Sequence, residues 1–420
     1  MSLRLIQASL LLALAACGAS EPTSARPGDS RGQSAQPGGP PFTVTEVAKF
    51  TAPWAMDFLP GRGLPLTNTA LVTEKSGQLF LVSVATGEKQ ALAGAPAVVA
   101  RGQGGLLDVV AAPSFPADGM IYLTFSEASA NGGSQLALAR AKLALGTSPK
   151  LEQLQVIWRN PTGGQGGHFG GRIAFAPDGQ SLFLSAGDRQ RFTPAQDMNQ
   201  PLGKILHLTL EGKPAPDNPW VGRTGAASVK LTDPPADSEA AKRAPARTIR
   251  WPGINRTPAE TWTLGHRNPL GLAFAPDGRL WVAEMGPRGG DELNLIVRGR
   301  NYGYPHVSNG DNYNGVPIPD HRPGDGFEPP KVFWNPSVSP GALLIYSGDA
   351  FPQWKGDALI AALSGQALIR VDIEGGRARK AEQWDMGARI RAVDQGPNGD
   401  IYLLVDGDSG GRLLKLTPAR

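Results

Sequence analysis

The sequence predicts an all-β fold, a six-bladed β-propeller of four-stranded antiparallel blades with inserted loops. Three observations lead there: a composition suited to short elements and turns, a hairpin pattern that recurs six times, and uneven spacing between its copies.

The 420 residues include 54 Gly and 38 Pro alongside 40% hydrophobic residues, a balance that favours many short strands over long helices. Length alone would allow two domains, but a propeller of this size is one unit. The recurring element is a pair of apolar runs around a turn containing Asp-Gly or a close relative, as expected of adjacent antiparallel strands. Copies begin at Trp54, Leu106, Arg172, Leu270 and Ile390, with a more divergent sixth from Leu344. Their spacing, about 40 to 100 residues, is too irregular for a stacked solenoid and suits blades with long inserted loops. A two-sheet sandwich with long loops is the alternative that the pattern leaves open.

The 41 basic and 37 acidic residues give a net charge of +4 and are scattered along the chain. No basic run would track a phosphate backbone, so nucleic acid is not an expected partner. Arg4 followed by the apolar stretch Leu5 to Ala16 reads as an export signal, too short to span a bilayer as a helix. Leu14-Ala15-Ala16-Cys17 then resembles the bacterial lipoprotein signal, in which the cysteine is acylated and becomes the mature N-terminus, although an ordinary cleaved signal ending in cysteine would look the same. Cys17 is the only cysteine, so no disulfide is expected. Residues 18–41 are rich in Gly, Ser, Pro, Gln and Arg, too poor in apolar groups to offset the entropy of ordering, and read as a tether. The expected organisation is a signal over 1–17, a tether over 18–41 and a propeller over 42–420. The expected location is periplasmic or at the cell surface, held to the membrane by lipid only.

Four segments are too polar and Gly-rich for blade packing alone, and an arginine pair stands apart from them. Gln103 precedes two glycines that let backbone approach a ligand, although a plain turn would look the same. His168 sits among six glycines, where an imidazole could take a hydroxyl proton near neutral pH or serve a structural role. Arg267 and Asn268 stand just before a strand, where Arg could hold a carboxylate, stabilise an oxyanion or fix a loop. The run from Gly286-Pro287 through Asp291, Glu292, Asn301 and Tyr302 offers hard oxygen donors that suit calcium without being an EF-hand loop. Arg389 and Arg391, two apart, would share one side of a strand and suit a polyanion, as would any surface Arg pair.

In this order, GQGGLLD, GGHFGGR, GHRNP, GPRGGDELN and NYGYP resemble the signature of the soluble glucose and aldose sugar dehydrogenases that use pyrroloquinoline quinone (PQQ), the glucose/sorbosone dehydrogenase family. The resemblance runs from about Phe42 to Leu416. It implies that His168 is the catalytic base, that Gln103 touches the sugar, and that Arg267 and Asn268 contact PQQ. It places the carbonyls of Gly286 and Pro287 on the PQQ-bound calcium, and Glu292 and the Tyr302 carbonyl at a second calcium. Arg389 and Arg391 would grip PQQ carboxylates, with Ser337 near the cofactor.

The implied reaction is oxidation of an aldose at its anomeric carbon to a lactone. Arg267 would stabilise the oxyanion, and electrons would leave to a quinone or cytochrome acceptor. Two departures stand out. Ser364 occupies a position where the family commonly places a lysine against PQQ, and Gly167 precedes His168 where glucose enzymes have an aspartate that contacts sugar and orients the base. A non-catalytic propeller that binds sugar or protein is the competing class, since one fold hosts many functions. A calcium-dependent lactonase is disfavoured by Arg389 and Arg391, because it has no trianion to hold.

Overall fold

Each hairpin copy becomes the inner half of a four-stranded antiparallel blade. The computed structural model describes residues 39–60, 68–232 and 246–419; Cys17 and nearly all of the expected tether lie outside them. Blade 1 comprises Pro53–Phe58, Thr69–Glu74, Leu79–Ser83 and Lys89–Ala91, and blade 2 Leu106–Ala111, Met120–Ala128, Ser134–Ala144 and Lys150–Arg159. Blade 3 comprises Gly170–Phe175, Ser181–Ala186, Lys204–Thr209 and Thr261–Leu264, and blade 4 Asn268–Phe274, Leu280–Met285, Asp291–Ile296 and Val332–Trp334. Blade 5 comprises Pro340–Ile345, Ala358–Ala362, Ala367–Glu374 and Arg377–Asp385. Blade 6 joins Ile390–Gln395, Ile401–Val405 and Arg412–Pro418 to the outer strand Phe42–Lys49, so strands from the two ends of the fold close the ring by hydrogen bonds alone.

The sixth hairpin copy starts earlier than the sequence indicated. Its inner strand begins at Pro340, not Leu344, because Pro340-Gly341 reads as a turn while here it enters a strand at the channel, where Pro is tolerated as first residue.

The core is a ring of apolar layers between successive blades. Leu71, Leu79 and Leu81 of blade 1 meet Val109, Ile121 and Leu123 of blade 2. Phe183 and Ile205 of blade 3 meet Leu272 and Val282 of blade 4. Because each middle strand is covered on both faces, segments such as Ala358–Ala362 are buried throughout instead of alternating.

Two features set up one end of the channel. Every innermost strand carries a register shift near its start, between Pro53 and Met56, Leu106 and Val109, Gly170 and Ile173, Pro269 and Gly271, Pro340 and Ala342, and Ile390 and Ala392. Bulges end regular pairing and re-aim side chains, so six strand entries converge on the same mouth. Just inside, Arg172 donates to Asp108 Oδ1 of blade 2 (2.9 Å), the Leu270 carbonyl of blade 4 (2.8 Å) and the Gly341 carbonyl of blade 5 (2.7 Å). Its guanidinium lies 4.2 Å from the Trp54 ring of blade 1. One buried cation thus ties five blades together at the axis.

Candidate active site

The loops that precede the inner strands enclose a cavity of about 410 Å3 on the axis. Gln103, His168, Arg267, Asn268, Gly286, Pro287, Ser337, Arg389 and Arg391 all line it, so segments up to 288 residues apart in sequence reach one space.

His168 is held from three directions. Its φ is +48°, a left-handed conformation uncommon outside glycine. Its backbone N–H donates to Gln103 Oε1 at 2.7 Å, and its ring Nδ1 meets Asp188 Oδ1 at 2.7 Å. The histidine is 4% exposed and Asp188 fully buried. Asp188 also accepts the N–H groups of Gln190 (2.9 Å) and Phe192 (3.2 Å), which fixes the carboxylate before the imidazole reaches it. Gly187 permits this approach, since a Cβ there would lie 2.2 Å from the His168 carbonyl oxygen.

Burial, with Arg267 next in weight, pushes the His168 pKa below its ordinary value against the opposing pull of Asp188. Burial resists ionisation of Asp188, but His168, Arg267 and the Gln190 N–H outweigh it and hold the carboxyl below its usual range. A neutral imidazole donating through Nδ1 to a carboxylate carries its lone pair on Nε2, the arrangement a general base needs.

Arg267 is fixed from its backbone. Its N–H donates to Glu284 Oε2 at 2.9 Å, and His266 Nδ1 meets Glu284 Oε1 at the same distance. The guanidinium donates to the Gly286 carbonyl at 2.6 Å and lies 6.0 and 5.7 Å from the rings of Tyr304 and Tyr313. Burial opposes its charge, but Tyr304, Tyr313 and Asp188 outweigh that penalty, so the group stays a cation. Gly286-Pro287 is positioned by Asp291, whose Oδ1 accepts the Gly286 N–H (2.9 Å) and whose Oδ2 accepts Ser337 Oγ (2.7 Å) and the N–H groups of Val338 (2.7 Å) and Ser339 (2.6 Å). The sequence offered Asp291 as an oxygen donor for calcium; the structure instead makes it a backbone clamp, because four donors already converge on its two oxygens.

Three other candidates lie elsewhere. Ser364 does not line the cavity; its Oγ donates to Ser339 Oγ at 2.8 Å, behind the lining serines. Glu292 and Tyr302 face a separate cavity of about 10 Å3, bounded also by Glu284, Arg267 and Gly286, room for one water or ion. Burial, then repulsion from Glu284, pushes the Glu292 carboxyl well above its ordinary range. Asn294 Nδ2 bridges the two acids, at 2.9 Å from Glu284 and 3.0 Å from Glu292.

Arg391 donates through Nε to Asp406 Oδ2 at 2.8 Å, whereas Arg389 Nε and Asn268 Oδ1 are buried without a hydrogen-bond partner among the described residues. Sequence reasoning missed Asp188, Asp406, Glu284, Lys75 and Tyr313. Asp188 carried a signal, a Gly-Asp pair directly after the apolar strand Ser181–Ala186, but nothing in one dimension tied it to His168. The absent aspartate at Gly167 therefore does not leave the His168 imidazole unheld, since Asp188 meets its Nδ1. A Cβ at Gly167 would lie 2.7 Å from the Gln103 amide, so this glycine gives Gln103 its seat.

The glucose/sorbosone dehydrogenase family model matches residues 50–229 and 251–415. The aldose sugar dehydrogenase YliI of Escherichia coli K12 is 35% identical over 376 residues, 88% of this chain and 91% of that protein. The crystal structure of the soluble E. coli aldose sugar dehydrogenase in its apo form superposes with a TM-score of 0.75 at 33% identity, covering 90% of this chain and all of that one. The PQQ-bound aldose sugar dehydrogenase of Streptomyces coelicolor gives a TM-score of 0.67 at 26% identity, covering 90% and 99%. The chain therefore belongs to the glucose/sorbosone dehydrogenase family.

Proposed function

We propose that the protein oxidises aldose sugars at the anomeric carbon to lactones, using PQQ and calcium. The observation that carries this reading is the His168–Asp188 pair at 2.7 Å, set beside the buried cation of Arg267 in one axial cavity. PQQ-bound and quinoprotein relatives support the cofactor.

The residues present fit that cofactor. Arg389 Nε and Asn268 Oδ1 are buried polar atoms lacking partners among the described residues, and a polycarboxylate with ring carbonyl and N–H groups supplies both kinds of complement. Arg391 would share its charge between Asp406 and a cofactor carboxylate. The carbonyls of Gly286 and Pro287 would hold calcium, with Gly286 using the lone pair left by Arg267. A second calcium at Glu292 and the Tyr302 carbonyl would offset the repulsion between Glu284 and Glu292. When bound, PQQ supplies a two-electron acceptor whose carbonyl calcium polarises.

The protein's part is proton and charge control. His168 Nε2 takes the proton of the anomeric hydroxyl while C1 gives up hydride, and Asp188 stabilises the imidazolium that forms. Arg267 stabilises negative charge developing on oxygen. Gln103, fixed through the His168 N–H, presents its amide N–H2 to sugar hydroxyls. Electrons then leave to a quinone or cytochrome acceptor. Cys17 supports acylation and a periplasmic or cell-surface location beside membrane carriers.

The test is reconstitution with PQQ and calcium followed by aldose-dependent dye reduction. Activity that disappears in His168→Ala supports the reading; no activity in the wild type, or equal activity in the variant, overturns it.

A further inference from the structure

Tyr313 has so far entered only as a neighbour of Arg267, yet its backbone is firmly placed for an exposed aromatic side chain. It stands 53% exposed at the tip of a short tongue whose base, Gly310–Asp311, pairs with Arg288–Gly289. The tip is a tight turn: the Asn312 N–H donates to the Val316 carbonyl (3.0 Å), and the Gly315 N–H to the Asn312 carbonyl (2.9 Å). Asn312, only 2% exposed, adds a side-chain bond to the Val316 carbonyl at 2.9 Å. The ring is thus presented by a rigid scaffold, it lines the axial cavity, and it stands 5.7 Å from Arg267.

The other exposed residues of the lining, Gly102, Gln103 and Asp408, carry no apolar side chain. Gln103 is exposed, and Lys75 Nζ donates to the Gly102 carbonyl at 2.8 Å, both on the wall of the same cavity. A mouth with one fixed aromatic face and polar donors elsewhere matches a molecule with an apolar C–H face and a hydroxylated edge, which describes a pyranose ring. A preorganised aromatic surface gains contact with little ordering cost.

We propose that Tyr313 is a specificity-determining residue that stacks on the sugar ring held at His168, an assignment that rests on the sugar-oxidation reading. It contributes substrate affinity through its ring face, and not by holding the cofactor.

The experiment uses the full chain loaded with PQQ and calcium, with glucose and maltose as probes, and compares wild type with Tyr313→Phe, Tyr313→Leu and Tyr313→Ala. Steady-state dye reduction and saturation-transfer NMR of sugar binding are both read, and PQQ affinity is titrated separately. The expected result is a KM rise of about 5- to 10-fold in the Leu and Ala variants, with kcat and PQQ affinity within about twofold of wild type and a smaller KM change in Tyr313→Phe, which keeps the ring.

Unchanged KM in Tyr313→Ala, wild-type behaviour of Tyr313→Leu, or an effect confined to kcat or to PQQ affinity would overturn it. If the wild type binds sugar without oxidising it, the sugar-oxidation reading fails and the NMR comparison alone decides the role of Tyr313. If it binds neither probe, both fail.

Discussion

Asp188→Asn changes one atom in the site and should cost most of the activity. In the wild type, Oδ1 accepts from His168 and the Gln190 N–H, and Oδ2 from the Phe192 N–H. An asparagine has a single oxygen. With that oxygen toward His168, its amide N–H2 faces the Phe192 N–H, two donors in a fully buried space. Turned the other way, the amide donates to Nδ1 and forces the imidazole proton onto Nε2, the nitrogen that must accept from the substrate. The first outcome takes away the charge that stabilises the imidazolium, and the second removes general-base catalysis, worth about 10²- to 10⁴-fold, or ~3–5 kcal/mol of transition-state stabilisation. The loss should fall on kcat in PQQ- and calcium-loaded enzyme with saturating aldose, while stability falls by no more than the ~1–3 kcal/mol of one unsatisfied buried donor. Asp188 also raises the His168 pKa, and activity is lost as pH falls through that pKa because the base must be neutral. The wild-type acid limb should lie below the ordinary histidine range, and the residual activity of the variant should persist to still lower pH. A variant within threefold of wild type in kcat, with an unmoved acid limb, would refute the dyad.

Three further expectations follow from the same contacts. Arg172→Met leaves Asp108 buried without its ion-pair partner and cuts the links to Leu270 and Gly341; loss of about 3–5 kcal/mol in chemical denaturation is expected, and a change under ~1 kcal/mol would contradict the axial tie. At the other end of the inner strands, burial pushes the Asp394 carboxyl up to about 7, with Asp108 adding to it. The folded state therefore binds this proton more tightly than the unfolded chain, and stability falls as pH rises from the ordinary carboxylate range through about 7. Asp394→Asn should melt higher than wild type at pH above that window and gain little below it; equal gains on both sides would show that charge is not the cause. Ser364→Lys would add a cation next to the cavity-lining Ser339, long enough to extend toward the cofactor, and should tighten PQQ binding by about tenfold or more in a titration, whereas unchanged affinity would mean that Arg389 and Arg391 already satisfy the carboxylates.

The fold was legible because a propeller writes itself locally. Each blade needs its own hairpin, and turns such as Pro177-Asp178-Gly179 and Pro276-Asp277-Gly278 sit between the apolar runs that form them. The start of the fifth blade was obscured where Pro340-Gly341 contradicts strand propensity, and bulge geometry decides that point from outside the segment. The site divided along similar lines. Residues embedded in Gly-rich motifs, such as His168 and Arg267, could be picked out because their surroundings made little sense as packing. Their partners could not. Asp188 and Asp406 acquire meaning only when strands from one blade turn back to the channel, and Asp291 changes from ligand to clamp only once Ser337, Val338 and Ser339 are brought against it. Tyr313 lies in an ordinary-looking loop and is distinguished solely by where the tongue pairing puts it.

The central claim is that His168 drives transfer of reducing equivalents from a bound aldose to PQQ in this cavity. Its most direct test is an anaerobic absorption titration: protein with stoichiometric PQQ and calcium, then an aldose, in wild type and His168→Asn. With His168 as the base, the spectrum changes from quinone to reduced cofactor in the wild type and stays oxidised in the variant on the same timescale. A wild-type protein that binds PQQ but leaves it oxidised after sugar addition, or a variant that reduces it equally fast, would contradict the account.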